Sequence, residues 1–130
     1  MKLYYMVSDS GPPLLLSFLD SLDSKSRMKL IRLFQILLNS PLPCEPLVKH
    51  FNIERYSALY ELRARSKVMI RVIFTIREDG GILLLKPFVK KQPRNTAQAL
   101  EASLRMLAQI ETGTCSVREM LIHDLLEESE

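Results

Sequence analysis

Four cations stand close together within residues 85–95, just after an apolar run that ends at Leu85. They are Lys86, Lys90, Lys91 and Arg94. Apolar residues recur at helical spacing from about Thr96, so the cations lead into a predicted helix N-terminus, whose free N–H groups and dipole favour an anion. Phosphate is the anion that this arrangement fits. A solvated surface loop is the competing interpretation, because runs of like charge are usually solvated.

Arginines on the predicted strands could extend this cationic site. Arg63 and Arg65 share one side of a strand with period-two alternation, and Arg71 interrupts a strongly apolar strand. Side chains on the same side of adjacent strands lie about 5 Å apart, so Arg71 can meet Arg63 or Arg65. Apolar strands rarely carry a cation without a partner. We therefore predict that Arg71 either binds phosphate with its neighbours or forms an ion pair with Glu61.

The sequence offers little other chemistry. Its two histidines, His50 and His123, are the only imidazoles for acid–base work near neutral pH, and each fits a surface or packing role better. Its two cysteines, Cys44 and Cys115, match neither a disulfide framework nor the spacing of a zinc site. Phosphate-binding loops, dinucleotide fingerprints and hydrolase motifs do not occur in the sequence. We therefore predict no metal and no cofactor.

Charge is distributed unevenly along the chain. Of the 130 residues, 47% are hydrophobic and 25% charged, which is typical of one globular domain. Residues 1–110 hold 17 of the 18 Lys and Arg but 9 of the 15 Asp and Glu, so a basic body precedes an acidic tail. A basic body favours a polyanionic partner, most often nucleic acid. Without a signal-peptide pattern or an apolar run near the roughly 20 residues of a membrane span, we expect a cytoplasmic protein with no membrane partner.

Hydrophobic periodicity predicts an α+β chain. Helices are predicted where apolar residues recur at helical spacing, over residues 14–22, 26–39, 96–110 and 117–126. Strands are predicted where residues alternate or β-branched residues cluster, over residues 2–7, 59–65, 68–76 and 82–85. The first two helices should form an antiparallel hairpin, residues 40–46 a loop, and the last three strands an antiparallel meander. Asn95 or Thr96 should cap the third helix, and Gly113 should end it.

Four sequence segments in and after this meander carry a family resemblance. They are Leu59-Tyr60-Glu61-Leu62-Arg63, Ile70-Arg71-Val72-Ile73-Phe74, Ile82-Leu83-Leu84-Leu85 and Phe88-Val89-Lys90-Lys91. Together with the upstream helical hairpin, their order and spacing resemble the phage Gp49-like, HigB-type branch of the RelE/ParE toxin superfamily. The resemblance covers roughly residues 13–107.

This resemblance implies a fold and a function. The implied fold is α+β and RelE-like, with an N-terminal helical hairpin packed on a small antiparallel sheet and with C-terminal helices. Residues 1–110 would form the toxin domain, and residues 111–130 an acidic helical extension of it. The implied function is that of a type II toxin, a metal-independent endoribonuclease that cleaves mRNA on the ribosome. A HigA-like helix-turn-helix antitoxin would be its partner, and oligomers are compatible with the family.

The resemblance also assigns roles to individual residues. The predicted catalytic residues, which bind the scissile phosphate or stabilise its added charge, are Arg63, Arg71, Lys90, Lys91 and Lys86. The predicted RNA-binding residues are Lys49, His50, Arg65 and Arg94. Lys86 stands where many relatives have a histidine. Proton transfer could therefore fall to Lys86, if neighbouring cations depress its pKa, or to His50.

Two other functions stay open at this point. One is a ParE-like inhibitor that binds DNA gyrase, and the other is a nucleic-acid or antitoxin-binding module without catalysis. The acidic tail has two interpretations as well. Its apolar spacing favours an extra packing element, whereas its charge would suit a cover over the basic face or a contact with a partner.

Overall fold

The computed structural model describes residues 2–39 and 46–128, with side chains up to Leu126. The strands in these ranges are β1 (Leu3–Val7), β2 (Val48–His50), β3 (Leu59–Arg65), β4 (Met69–Ile76), β5 (Ile82–Val89) and β6 (Ser116–Glu119). The α-helices are α1 (Leu14–Ser21), α2 (Ser24–Asn39), α3 (Pro93–Glu111) and α4 (Ile122–Glu128). Except for Pro46, the loop predicted over residues 40–46 lies outside the described residues. None of the described helices is long and apolar enough to span a bilayer.

All six of these strands belong to one mixed sheet in the order β2-β3-β4-β5-β1-β6. The meander β3-β4-β5 is antiparallel, as predicted. The prediction of a wholly antiparallel sheet was wrong, because β1 pairs with β5 in parallel. A parallel pair needs a long crossover between its strands, and the chain between β1 and β5 supplies one that includes α1 and α2.

Three of the described helices pack on one side of the sheet, and the fourth packs on the other side. On one side, called the α2 side here, α1, α2 and α4 pack on strand residues such as Leu62 and Val72. On the other, the α3 side, α3 packs on residues such as Ile73 and Leu85. Helix α1 mainly contacts β5 and β1, whereas α2 contacts β3 and α4. That α1 and α2 form an antiparallel hairpin stays a prediction.

Strand β5 continues beyond its predicted end at Leu85 as far as Val89. The pairing shifts register between Val72 and Phe74, which admits an extra residue, and Pro87 still lies opposite Val72. Lys86 and Pro87 suggested the end of the strand because a charge and a missing N–H donor usually disfavour an inner strand. Here the neighbouring strand β1 pairs only with residues 82–84. No strand on that side therefore needs a hydrogen bond from the backbone of Pro87.

The C-terminal segment differs most from its prediction. A single helix over residues 117–126 was wrong, because β6 pairs antiparallel with β1 and α4 begins only at Ile122. Met120 N–H donates to the Leu3 carbonyl, and Arg27 Nη1 donates to the Leu125 carbonyl. Met120 and Leu125 are buried in the core on the α2 side. This segment therefore completes the sheet and the core, as the packing interpretation expected.

Replacing Met120 with Ala should test this packing. Met120 is 3% exposed and Leu121 is 45% exposed, so Met120→Ala leaves a cavity that Leu121→Ala does not. We expect Met120→Ala to lower the free energy of unfolding by about 2–4 kcal/mol, measured by urea denaturation. Leu121→Ala is the matched control. Equal small losses in both variants would contradict the packing of this segment in the core.

A three-residue clamp holds α3 to the segment before β3. Glu101 on α3 accepts two hydrogen bonds from Arg55, at 2.8 and 2.7 Å, and a third from the hydroxyl of Tyr56. The hydrogen bonds from Arg55, and then that from Tyr56, lower the pKa of Glu101 to about 2.

Acid should release this clamp. The pKa of Glu101 in the folded state lies below its unfolded value of about 4.3, so its stabilisation is complete above that pH and is lost as pH falls towards 2. We expect Glu101→Gln to lower the thermal midpoint at pH 7, with the difference from wild type shrinking between about pH 4.3 and pH 2. The exposed Glu111→Gln is the control. A difference that stays constant with pH would contradict the clamp.

Candidate functional site

The hairpin of β3 and β4 brings the predicted arginines together. The register places Arg63 directly opposite Arg71 and Arg65 opposite Met69. Leu62 and Ala64 belong to the core on the α2 side, so the alternating arginines lie on the α3 side, as the period of two predicted. Arg63, Arg65 and Arg71 are called the arginine cluster from here on.

A buried carboxylate lies beside this cluster. Glu61 is 1% exposed, and its Oε1 accepts a hydrogen bond from Arg63 Nε at 2.9 Å. The same oxygen lies 3.7 Å from Arg71 Nε, so the ion pair that was the alternative role for Arg71 is present. Neither Glu61 Oε2 nor Arg71 Nε has a hydrogen-bond partner among the described residues. One carboxylate therefore serves two guanidinium groups and satisfies neither group fully.

The cluster has more positive charge than Glu61 can balance. Arg71 is 8% exposed, and burial lowers its pKa from the ordinary value. Glu61 acts in the opposite direction, whereas the charges of Arg63 and Arg65 lower the pKa further. A bound anion would relieve the repulsion among the three arginines. The excess positive charge of the cluster therefore favours an anionic ligand.

A groove opens from the arginine cluster to α2. Its volume is about 810 Å³, and we call it the α2 groove. The cations that line it are Lys25, Lys29, Arg32, Arg63, Arg65 and Arg71. The three from α2 were not among the predicted site residues. Their positions i, i+4 and i+7 place them on one helix face, which is the signal that could have identified them.

Lys86 lies in a second, smaller groove of about 310 Å³ between β5 and α3. Phe88, Asn95 and Arg105 also line it. Phe88 is opposite Arg71 in the register, and Lys86 lies on β5 two residues before Phe88. Lys86 is half-buried. The structure thus places this predicted catalytic residue on the α3 side.

The corner between β5 and α3 presents the remaining cations. Lys90 N–H donates to the Met69 carbonyl, which continues the pairing of β5 with β4 by one residue. Asn95 Oδ1 accepts the N–H groups of Lys91 and Gln92, so Gln92 is the N-cap and the prediction of Asn95 or Thr96 was wrong. The helix starts earlier because Pro93 fits its first turn without needing a donor. Lys91 and Arg94 are exposed at this corner.

Lys49 and His50 point to opposite sides of the sheet. Lys49 is opposite Glu61 on the α3 side, with its Nζ 5.5 Å from the centroid of the Phe51 ring. His50 is opposite Tyr60 and stacks on it at 4.5 Å, and its Nε2 lies 2.7 Å from the Ser57 carbonyl. The structure therefore brings Lys49 towards the cluster and separates His50 from it.

No imidazole joins the cationic face in the described ranges. His123 is on α4, with its Nε2 3.1 Å from Asp124 Oδ1, and is exposed. Within residues 2–39 and 46–128, no group of three or more His, Cys, Asp or Glu is placed to hold a metal ion.

A protein-family model matches most of the chain. The family described as phage-derived protein Gp49-like (DUF891) matches residues 17–109. This range includes helix α2, most of helix α3 and the strands β2 to β5. All nine predicted site residues lie within the matched range. A search of curated proteins found no match.

Removing the charge of Glu61 should expose its role in holding the arginines. Glu61→Gln leaves Arg71 buried without a counter-ion, so we expect a loss of about 3 kcal/mol in the free energy of unfolding, measured by urea denaturation. Glu78→Gln, in the exposed turn between β4 and β5, is the control. In a double-mutant cycle with Arg71→Gln, the two losses should fall short of additivity by at least about 1 kcal/mol. Additive losses would contradict the pairing.

Proposed function

The chain belongs to the Gp49-like family of phage-derived proteins, which is related to RelE-type toxins, and from this premise we propose that it is an mRNA-cleaving toxin. The proposal is a type II toxin that acts as a metal-independent endoribonuclease in association with the ribosome. The observation that carries it is the pair Arg63 and Arg71, held side by side with a single buried carboxylate between them. Family membership is compatible with a toxin of a toxin–antitoxin system.

RNA itself supplies the nucleophile in the proposed reaction. The 2′-OH loses its proton to a base as its oxygen attacks the adjacent phosphate, the bond from phosphorus to the 5′-oxygen breaks, and a 2′,3′-cyclic phosphate forms while an acid gives a proton to the leaving 5′-oxygen. The transition state carries extra negative charge on the phosphate oxygens, which Arg63 and Arg71 would stabilise through hydrogen bonds from their guanidinium groups. Glu61 would act as a positioning residue, because it holds the Nε of Arg63.

The lysines of the corner and of β5 complete the proposed site. Lys90 and Lys91 would bind the phosphate from the side of the α3 N-terminus. Lys86 is the better candidate for proton transfer, because it shares the α3 side with the arginine cluster whereas His50 stacks on the α2 side. Lys49, Arg65 and Arg94 would bind the flanking RNA.

A helix-turn-helix antitoxin is the proposed protein partner. This part of the proposal rests on the family relationship. A small helix-turn-helix reading frame beside the gene, whose product co-purifies with this chain, is the expected finding.

Mapping of mRNA 5′ ends should test the nuclease directly. We expect expression of the wild type to arrest growth and to create new mRNA 5′ ends. Lys90→Ala/Lys91→Ala should reduce the new ends by about 100-fold, because two charges that stabilise the transition state are removed. Lys91 is exposed and Lys90 half-buried, so the variant should keep its fold, which circular dichroism can check.

Arg118→Ala is the control for loss of positive charge. Arg118 lies on β6, the edge strand at the other end of the sheet from β2 and β3. This variant should cleave like the wild type. Growth arrest without new RNA ends would defeat the nuclease proposal. If such arrest came with a change in plasmid supercoiling, the ParE-like inhibition of gyrase would take its place.

A further inference from the structure

We propose that the α2 groove binds consecutive backbone phosphates of a single-stranded RNA next to the cleaved phosphate. This inference deepens the proposed function, since it names the path of the RNA away from the arginine cluster. It adds Lys25, Lys29 and Arg32 to the residues that bind substrate. They contact the RNA away from the reacting atoms.

The composition of the groove points to a polyanion. Six cations line it, and no acidic residue does so in the described part of the chain. Lys25, Lys29 and Arg32 are exposed and have no ion pair with any described residue. Six cations around one volume repel each other, and this repulsion is removed when phosphates enter and release their counter-ions.

Arg71 provides an independent observation. It is more than nine-tenths buried and lines the groove, and its Nε lies 3.7 Å from Glu61 Oε1 without a hydrogen bond. Glu61 also pairs with Arg63, so its single charge cannot balance both guanidinium groups. A phosphate in the groove would supply the missing negative charge. Arg65 and the cations of α2 extend the positive charge outward from Arg71.

The spacing of the α2 cations fits a strand with several phosphates. From Lys25 to Arg32 the helix advances by about 10 Å. This is the rise of roughly three nucleotides in a stacked strand. A single phosphate could not contact both ends of the groove. We therefore infer that a ligand of several nucleotides is needed to use the whole groove.

The remaining lining indicates how the strand is read. Leu33, Leu47 and Ala64 contribute apolar surface, and no aromatic side chain lines the groove within residues 2–39 and 46–128. Without an aromatic platform, the groove offers bases only the guanidinium groups of its arginines to stack on. The groove should thus bind the backbone with little preference for sequence, and sequence preference would arise nearer the cleaved phosphate.

The test measures binding without cleavage. The ligand is a short single-stranded RNA with 2′-O-methyl groups throughout, which lacks the attacking hydroxyl, and affinity is measured by fluorescence anisotropy over a series of salt concentrations. Lys29→Gln/Arg32→Gln is compared with Lys2→Gln/Arg118→Gln. Both variants lose one Lys and one Arg at exposed positions, and the control pair lies at β1 and β6, on the other edge of the sheet. Thermal unfolding checks that all the proteins are folded.

We expect the α2 variant to bind the RNA roughly tenfold more weakly and to reduce the slope of log K against log salt by about 1.4, the value for two phosphate contacts on a single strand. The control should keep the affinity and the slope of the wild type. A 2′-O-methyl dinucleotide, which has one internucleotide phosphate, should bind the α2 variant and wild type equally.

Equal losses in both variants would overturn the proposal, because they would reflect net charge alone. No loss in the α2 variant would overturn it too. If that variant instead lost binding to a polyglutamate peptide while it kept RNA binding, the groove would be a site for an acidic protein segment. The outcome for the groove is separate from that for the nuclease. If the binding differences are as expected but the wild type makes no new mRNA ends, the groove proposal stands and the proposed function fails. If the wild type makes new mRNA ends but the α2 variant binds RNA normally, the proposed function stands and the groove proposal fails.

Discussion

The buried carboxylate of Glu61 is the contact on which the basic face of this protein depends. Two arginines face each other across β3 and β4, and like charges directly opposite each other destabilise a sheet. Glu61 Oε1 contacts the Nε atoms of Arg63 and Arg71 and offsets part of that repulsion. It does not offset all of it. The residual positive charge remains available to attract a ligand.

The register of the sheet follows from the same constraint. If β3 slipped by one residue, its arginines would enter the apolar core of the α2 side, and Leu62 would leave that core. The apolar alternation and the ion pair thus select the same register. Helix α3 covers the apolar strand residues on its side, including Ile73 and Leu85. Stability and a basic surface are obtained from one pairing pattern.

The acidic tail is kept apart from this basic surface in the described residues. Strand β6 extends the sheet beyond β1, at the far edge from β2, and α4 packs against α2 through the core. No residue of the tail lines the α2 groove in the described part of the chain. The described part of the tail therefore places no negative charge in the groove. Six cations line the groove although the chain has a net charge of only +3.

The sequence by itself determined the local features of this protein. The alternation over residues 59–65 predicted that Arg63 and Arg65 would share one side of the strand, the glycine-rich turn predicted the β4-β5 hairpin, and the apolar spacing predicted α1, α2 and α3. Each of these patterns acts between residues that are close in the chain, so it can be recognised without knowledge of the rest. The charge pattern and the family resemblance together led to the nine candidate residues, all of which lie in the matched range.

Only the tertiary structure decided the features that join distant segments. The parallel pairing of β1 with β5, the strand β6 and the burial of Met120 depend on which edges meet after the chain has closed long loops. His50 lies on a strand of three residues, too short for a period to show its side, so only pairing with Tyr60 could separate it from the cluster. The α2 groove joins a helix face to a hairpin more than thirty residues away. Pairings of this kind are set by packing and by free hydrogen-bonding edges, which no local pattern of residue types encodes.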